Sequence, residues 1–381
     1  MRTFMLRYLN NTQTLDIDIP SDVTREQFFL ELSSSKATAI NVNLRFDSWE
    51  KQKDFFNDLF VTLNQNKNIR RFNYLSRISS EELFSVLADG IGQSKFLTDI
   101  ELYCGINSSK LAISLRNNSV LSKLKLACCN LGYLGAQKLA SGILDNTSLT
   151  ELDLTNTGIT NDDSVVIVQA CISQGKISAL SFRTNTIENT QLAKIIELLA
   201  TNKSLKYIDL QFTNIGITEI ETICKLVSKE HFTEGFVFDL RNNHITNEGA
   251  QIILEKIKSG NYPPNLYIDL RKNKIDDDLL NELTGQLEIN KAALACTAFQ
   301  QGARQEKCFI SNLPQKILED IYQFSFPFPK RKEEMQNFSK NINKVCSNSP
   351  LTFFNDSLKT CKLSELEKNE EETLSILPNN F

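Results

Sequence analysis

The chain has 381 residues, 41% hydrophobic and 23% charged, the composition of a folded protein with room for two domains or one extended repeat array. No apolar run approaches the roughly 20 residues that cross a bilayer, and the opening MRTFMLRYLNNTQT is interrupted by Arg7 and Asn10 before a signal-peptide core develops. The net charge of −4 sits in the tail: residues 365–381 hold five Glu and one Lys, and elsewhere basic and acidic residues balance at 41 each, without the basic excess of a nucleic-acid binder.

Residues 1–38 read as an N-terminal cap. TFMLRYLNNTQTLDIDIP (3–20) alternates apolar and polar residues on either side of Asn10-Asn11, which predicts a β-hairpin. TREQFFLELS (24–33) predicts a helix with Thr24 as its cap. From residue 39 to 290 the chain repeats itself in about nine units. The template L-x-x-L-x-L-x-x-N-x-I is clearest in LTELDLTNTGI from Leu149, ISALSFRTNTI from Ile177 and LKYIDLQFTNI from Leu205. VFDLRNNHI and YIDLRKNKI belong to copies starting at Gly235 and Asn265, and fainter copies start at Ile69, Leu97, Leu121 and around Ala39. Starts fall 24 to 30 residues apart, a period that marks a solenoid.

Within each copy the first apolar residues alternate at period two, as in a short strand. Past the Ile they recur three and four apart, as helices do, in LGYLGAQKLASGIL (131–144) and ITNEGAQIILEKI (245–257). A strand, a turn and a helix cannot bury their own apolar face, but stacked units bury a continuous core. The pattern resembles the ribonuclease-inhibitor-like subtype of leucine-rich repeat proteins, and Gly135, Ala136 and Leu139, like Gly249 and Ala250, match that subtype's helix start. The resemblance implies an α/β horseshoe with parallel strands on the concave face and helices on the convex face. Cys129, Thr157 and Thr213 stand where the motif has Asn, and they bond turn backbone more weakly, so those turns are the places to watch.

No catalytic, cofactor or metal constellation is legible. The two histidines, His231 and His244, fall in an insertion and in a turn, and no H-E-x-x-H, paired C-x-x-C, Walker A or G-x-G-x-x-G is present. Gly90-Ile91-Gly92 reads as a helix end with its Gly cap. Nine irregularly spaced cysteines argue for reduced thiols rather than a disulfide framework. Adjacent Cys128 and Cys129 would point to opposite faces of a strand and read as small buried thiols. Cys296 and Cys308 lie in a C-terminal stretch too short for the catalytic domain of leucine-rich-repeat ubiquitin ligases. The expectation is a non-enzyme with no cofactor.

Numbering each unit from its first apolar residue, positions one, four and six face the core, and positions three, five and seven face the concave side. Position five then reads Asn43, Asn73, Glu101, Lys125, Asp153, Ser181, Asp209, Asp239, Asp269, and position seven reads Arg45, Leu75, Tyr103, Ala127, Thr155, Arg183, Gln211, Arg241, Arg271. Neighbouring aspartates repel, and Arg241 and Arg271 offset them through diagonal ion pairs. This ladder is either self-neutralising on a solvated sheet or the edge of a recognition surface. Tyr207 and Tyr267 at position three, with Phe212 and Phe236 at the strand edges, favour recognition, because Tyr, Phe and Arg dominate interface hot spots. The expected partner site is Tyr103, Asp153, Arg183, Tyr207, Asp209, Phe212, Asp239, Arg241, Tyr267, Asp269 and Arg271, weighted to the C-terminal half.

After the repeats, residues 291–363 read as a helical region. In CFISNLPQKILEDIYQF (308–324), Leu313, Pro314, Ile317, Leu318 and Ile321 resemble the first helix of an F-box, which implies an adaptor that recruits substrates to a cullin-type ubiquitin ligase; a helical cap on the last repeat is the other reading. The tail 364–381 is polar and acidic. Its Glu cluster, followed by Leu374, Ile376, Leu377 and Phe381, resembles the C-terminal translocation signal of Dot/Icm type IV secretion effectors. That resemblance implies delivery from a bacterium into host cytoplasm. The combined expectation is a monomeric binding module for a host protein or another effector, with an F-box adaptor or occlusion of another enzyme's active site as further readings.

Overall fold

A computed structural model describes residues 7–8, 14–17, 25–43, 49–75, 81–103, 108–159, 161–199, 202–227, 235–263 and 266–287. In chain order these form β1 (Arg7–Tyr8), β2 (Thr14–Ile17), α1 (Arg25–Ser34), β3 (Ala39–Asn43), α2 (Trp49–Leu63), β4 (Arg71–Leu75), α3 (Glu81–Gln93) and β5 (Asp99–Tyr103). They continue with α4 (Ser108–Asn117), β6 (Lys123–Leu126), α5 (Gly132–Asp145), β7 (Glu151–Asp153), α6 (Asn161–Gln174), β8 (Ala179–Ser181) and α7 (Asn189–Leu199). The series closes with β9 (Tyr207–Asp209), α8 (Ile217–Leu226), β10 (Phe236–Asp239), α9 (Asn247–Lys258), β11 (Leu266–Asp269) and α10 (277–287). The Thr24 cap, Arg45, His231, Cys296, Cys308, the F-box-like residues Leu313, Pro314, Ile317, Leu318 and Ile321, and the acidic tail lie outside the described residues.

The 11 strands form one sheet in strict chain order. Arg7 lies opposite Asp16 and Tyr8 opposite Leu15 in the antiparallel β1–β2 pair. From β2 onward neighbours are parallel, each joined to the next through one helix. This topology is a leucine-rich repeat solenoid. Its core lies between sheet and helices, where Leu97, Ile100 and Leu102 of one unit stack on Leu121, Leu124 and Leu126 of the next. The N-terminal units fill the same space with rings, Phe56 against Tyr74 at 4.8 Å and Phe60 against Phe72 at 5.4 Å.

The register corrects the first unit. Asn41, not Asn43, pairs with Asn73, and Asn43 pairs with Leu75 where Arg45 was expected. The unit therefore begins at buried Ala37, with Ile40 and Val42 at positions four and six. A period-two pattern reads equally well two residues later, and small Ala37 gave it little contrast.

Two ladders hold successive turns together. At position nine, Asn185 donates from Nδ2 to Leu154 O at 2.7 Å and to Phe182 O at 3.0 Å, while its Oδ1 accepts the Thr157 and Ile159 N–H groups at 3.1 Å. Asn243 and Asn273 repeat the arrangement. Thr157 and Thr213 still close their own turns, donating from Oγ1 to Leu154 O at 2.8 Å and Leu210 O at 2.6 Å. The N–H groups at positions nine and eleven of these turns are accepted by the following unit's Asn, as in the Asn-bearing unit at Gly235.

The second ladder stands three residues before the units that start at Ile69, Leu121, Leu149, Ile177 and Leu205. Asn146 donates to Leu115 O at 2.7 Å and Asn118 O at 3.0 Å, and accepts the Ser148 and Leu149 N–H groups at 3.0 and 2.7 Å. Asn66 and Asn118 act alike, and Gln174 takes the role one unit on. These buried amides satisfy backbone groups that would otherwise be orphaned between helix and strand.

Gly90 and Gly92 correct another expectation: both lie within α3, not past its end. A Cβ on Gly90 would stand 2.2 Å from the Phe60 ring, and on Gly92 3.1 Å from Ser114 Cα. The glycines serve close helix packing. Cys128 is exposed rather than buried, at φ 59 in the turn after β6, while Cys129 is buried and donates to Leu102 O at 3.4 Å. A residue in the left-handed turn escapes the strand alternation on which the expectation rested.

Candidate functional site

The concave columns are in register from β4 to β11, bringing Asp209, Asp239 and Asp269 side by side. The column is not solvated as one reading assumed. Asp239 is 2% exposed, and Asp209 and Asp269 are buried too. Neighbours on adjacent strands cover them: Tyr207 Oη donates to Asp239 Oδ2 at 2.8 Å, and Gln211 Nε2 to the same oxygen at 3.0 Å. Phe236 packs into the core at position two instead of lining the edge.

The ion pairs run mainly along each strand, with a diagonal contact as well. Arg241 Nε and Nη2 grip Asp239 Oδ1 and Oδ2 at 2.8 and 2.5 Å, and Nε reaches Asp269 Oδ2 at 3.5 Å. Arg271 grips Asp269 in the same way, with Nε to Oδ1 at 2.9 Å and Nη2 to Oδ2 at 2.5 Å. Such bidentate forks are short, strong and geometrically fixed. Asp209 has no such fork. It accepts the Gln211 N–H at 2.9 Å and the Ser181 hydroxyl at 3.3 Å. Burial and the nearby Asp239 carboxylate push its pKa up to about 6, against the pull of the Gln211 N–H and Arg183. Burial, with Asp209 and Asp239 beside it, likewise raises the Tyr207 phenol.

Phe212 follows the strand in a left-handed turn. It shares positive φ with Cys128, Asn156, Thr184, Asn242 and Lys272, the equivalent residues of other units. The residue is 46% exposed, and the Arg183 guanidinium lies 5.1 Å from its ring centroid. Arg183 and Phe212 thus form a stacked pair beside the buried polar network. Tyr267 lines up with Val237 and Tyr207 at position three and packs partly against the core.

Tyr103 and Asp153 lie apart from this cluster, on β5 and β7. Lys125 Nζ sits 5.3 Å over the Tyr103 ring and 3.7 Å from Asp153 Oδ2, and Tyr103 Oη donates to Glu101 Oε2 at 3.3 Å. Arg71 pairs with Asp99 at 3.9 Å, and Lys123 with Glu151. The N-terminal half of the face therefore neutralises itself strand by strand. Among the described residues no three His, Cys, Asp or Glu side chains group to hold a metal, and no helix is long and apolar enough to cross a membrane.

The leucine-rich repeat family model matches residues 117–140, 145–163 and 237–253. Among solved structures, a crystal structure of a TLR13–ssRNA13 complex is similar at 13% identity and a TM-score of 0.32, covering 71% of this chain. The chain spans only 34% of the length of that protein, and a likeness at this score bears neither on shape nor on ligand. The family match and the strand–helix register together make this chain a leucine-rich repeat solenoid, an architecture that serves generally as a protein-interaction module.

Proposed function

We propose that this chain is a non-enzymatic capture module that holds a protein partner against the C-terminal half of its concave face. One observation carries the reading: Phe212 exposes nearly half its surface, contributes little to the core, and occupies a left-handed turn that a bulky side chain enters at a cost of about 1 to 2 kcal/mol. Arg183 stacks on the ring and the buried Asp–Arg–Tyr network fixes the floor beside it. A rigid aromatic anchor on a preformed surface binds with little ordering entropy. The Gly135-Ala136 and Gly249-Ala250 pairs in the first turns of α5 and α9, with Leu139, support a ribonuclease-inhibitor-like subtype, a geometry suited to covering another enzyme's active site.

The test is affinity purification with the full chain, Phe212→Ala and Arg183→Ala, read by quantitative mass spectrometry. A partner recovered by the native chain falls about tenfold or more with Phe212→Ala, the usual loss for a hot-spot aromatic. Equal recovery by both variants would refute the site.

Delivery as a type IV effector is the second part of the proposal, resting on the Glu-rich tail with its apolar C-terminal residues. A reporter fused to the full chain should enter host cells and one lacking residues 364–381 should not. Recruitment of a ubiquitin ligase rests on the F-box-like pattern of Leu313, Pro314, Ile317, Leu318 and Ile321. Loss of F-box-adaptor binding in Leu313→Ala/Pro314→Ala separates an adaptor from a terminal cap.

A further inference from the structure

The charge ladder is neutral by count but layered by depth. Asp239 exposes 3% of its side chain against 15% for Arg241, and Asp269 8% against 26% for Arg271. The carboxylates are the floor and the guanidinium groups lie above them. At positions three, seven, eight and ten of the units starting at Ile177, Leu205, Gly235 and Asn265, no residue is acidic. The nearby carboxylates belong to helix starts instead: Glu219 accepts the Gly216 N–H at 2.8 Å, Asp276 accepts from Asn247 Nδ2 at 2.5 Å, and exposed Asp277 and Asp278 open α10. Lys272 and Lys274 follow β11 on the turn ledge, both exposed and without an ion-pair partner among the described residues.

Resting on the protein-capture reading above, we infer that the segment this face takes is acidic and carries an apolar side chain. The apolar residue packs on the Phe212 ring, backed by Arg183. Its carboxylates lie on Lys272 and Lys274, two strands further along, passing over Arg241 and Arg271. Two strand steps span about 10 Å, the reach of about three extended residues, so the acid stands about three residues from the apolar anchor. A nucleic acid is the poorer match. Its backbone needs a stripe of unneutralised cations, and here Arg241 and Arg271 already spend their forks on Asp239 and Asp269.

Selection of short random peptides displayed on phage, against the immobilised full chain, tests this. The selected peptides are expected to pair an apolar residue with Asp or Glu about three positions away. Their affinity should drop about tenfold or more in Lys272→Glu/Lys274→Glu and weaken with added salt, as charge pairs do. Peptides whose acids are changed to Lys should bind that variant better than the native chain, which shows that the variant is folded. Lys138→Glu on α5 serves as the convex-side control and should change nothing. Neutral or basic peptides that lose affinity in Phe212→Ala overturn the acidic inference and leave protein capture standing. A single-stranded oligothymidylate that displaces the peptides from the native chain overturns it in favour of a nucleic acid. Failure to select any peptide sensitive to Phe212→Ala overturns both readings.

Discussion

Asp209 shows how one residue can be held against its own chemistry. Asp239, one strand away, has the Arg241 fork, the Tyr207 hydroxyl and the Gln211 amide, whereas Asp209 has only the Gln211 N–H and the Ser181 hydroxyl. Burial, with Asp239 adding to it, raises its pKa to about 6. An unfolded aspartate titrates near 3.9, so the folded chain binds more protons between about pH 4 and 6. Stability therefore falls as pH rises through that window, and the full penalty stands above the folded pKa, at most about 3 kcal/mol for two pKa units. Asp209→Asn keeps an oxygen to accept the Gln211 N–H, lets its amide nitrogen donate to the Ser181 hydroxyl oxygen in place of accepting from it, and removes the charge. Its melting temperature should exceed that of the native chain at pH 8, with the gap closing near pH 4; thermal melts followed by circular dichroism at both pH values decide it. A lower melting temperature at pH 8 would show that the charge is compensated.

At the scale of elements, the ladder and the glycines carry stability that the repeat template does not mention. Asn146→Ala strands two N–H groups between α5 and β7 and removes the donor to two carbonyls at the α4–β6 connection of the preceding unit, and each buried orphan costs about 1 to 3 kcal/mol. Urea unfolding should show a loss of about 3 kcal/mol or more, whereas exposed Asn117→Ala stays near the native value. On Gly142 a Cβ would stand 2.6 Å from Ala112 Cα, so Gly142→Ala forces α4 and α5 apart at a cost of about 1 to 3 kcal/mol. The strands and helices themselves were legible from residues 69 to 275 because periods two and 3.6 alternate with the template. The Asn ladder was legible too, in the recurring Asn three before Leu121, Leu149 and Leu205, but the template began at the leucine and passed it by. The roles of Gly90 and Gly142 depend on which helix lies alongside, and burial of the aspartates depends on side chains of adjacent strands. Neither is written in any single unit. The candidate site was half legible for the same reason: its residue types were readable, while the layering of carboxylate under guanidinium was not.

Among the described residues the repeat solenoid is close to one-dimensional, each unit packing chiefly on its neighbours, so its stability is nearly a sum of units and interfaces. Deleting residues 149–176 should therefore leave a folded solenoid. The cut joins Ser148 to Ile177 and keeps Asn146 three residues before the next unit's first apolar residue. It places Cys129 beside Asn185, whose Oδ1 already serves the N–H groups at positions nine and eleven of its preceding unit. The losses are the pairs of Lys123 with Glu151 and Lys125 with Asp153, partly exposed and worth about 0 to 1 kcal/mol each, together with one unit's interfaces. The face formed by β8 to β11 is untouched and moves as a block. The shortened chain should unfold cooperatively at a lower temperature than the full chain and keep its native helical signal per residue. It should also retain the affinity of any peptide that depends on Phe212. Loss of a cooperative melt would mean that α5 and α7 cannot pack against each other, and that these units are specific to their places rather than interchangeable.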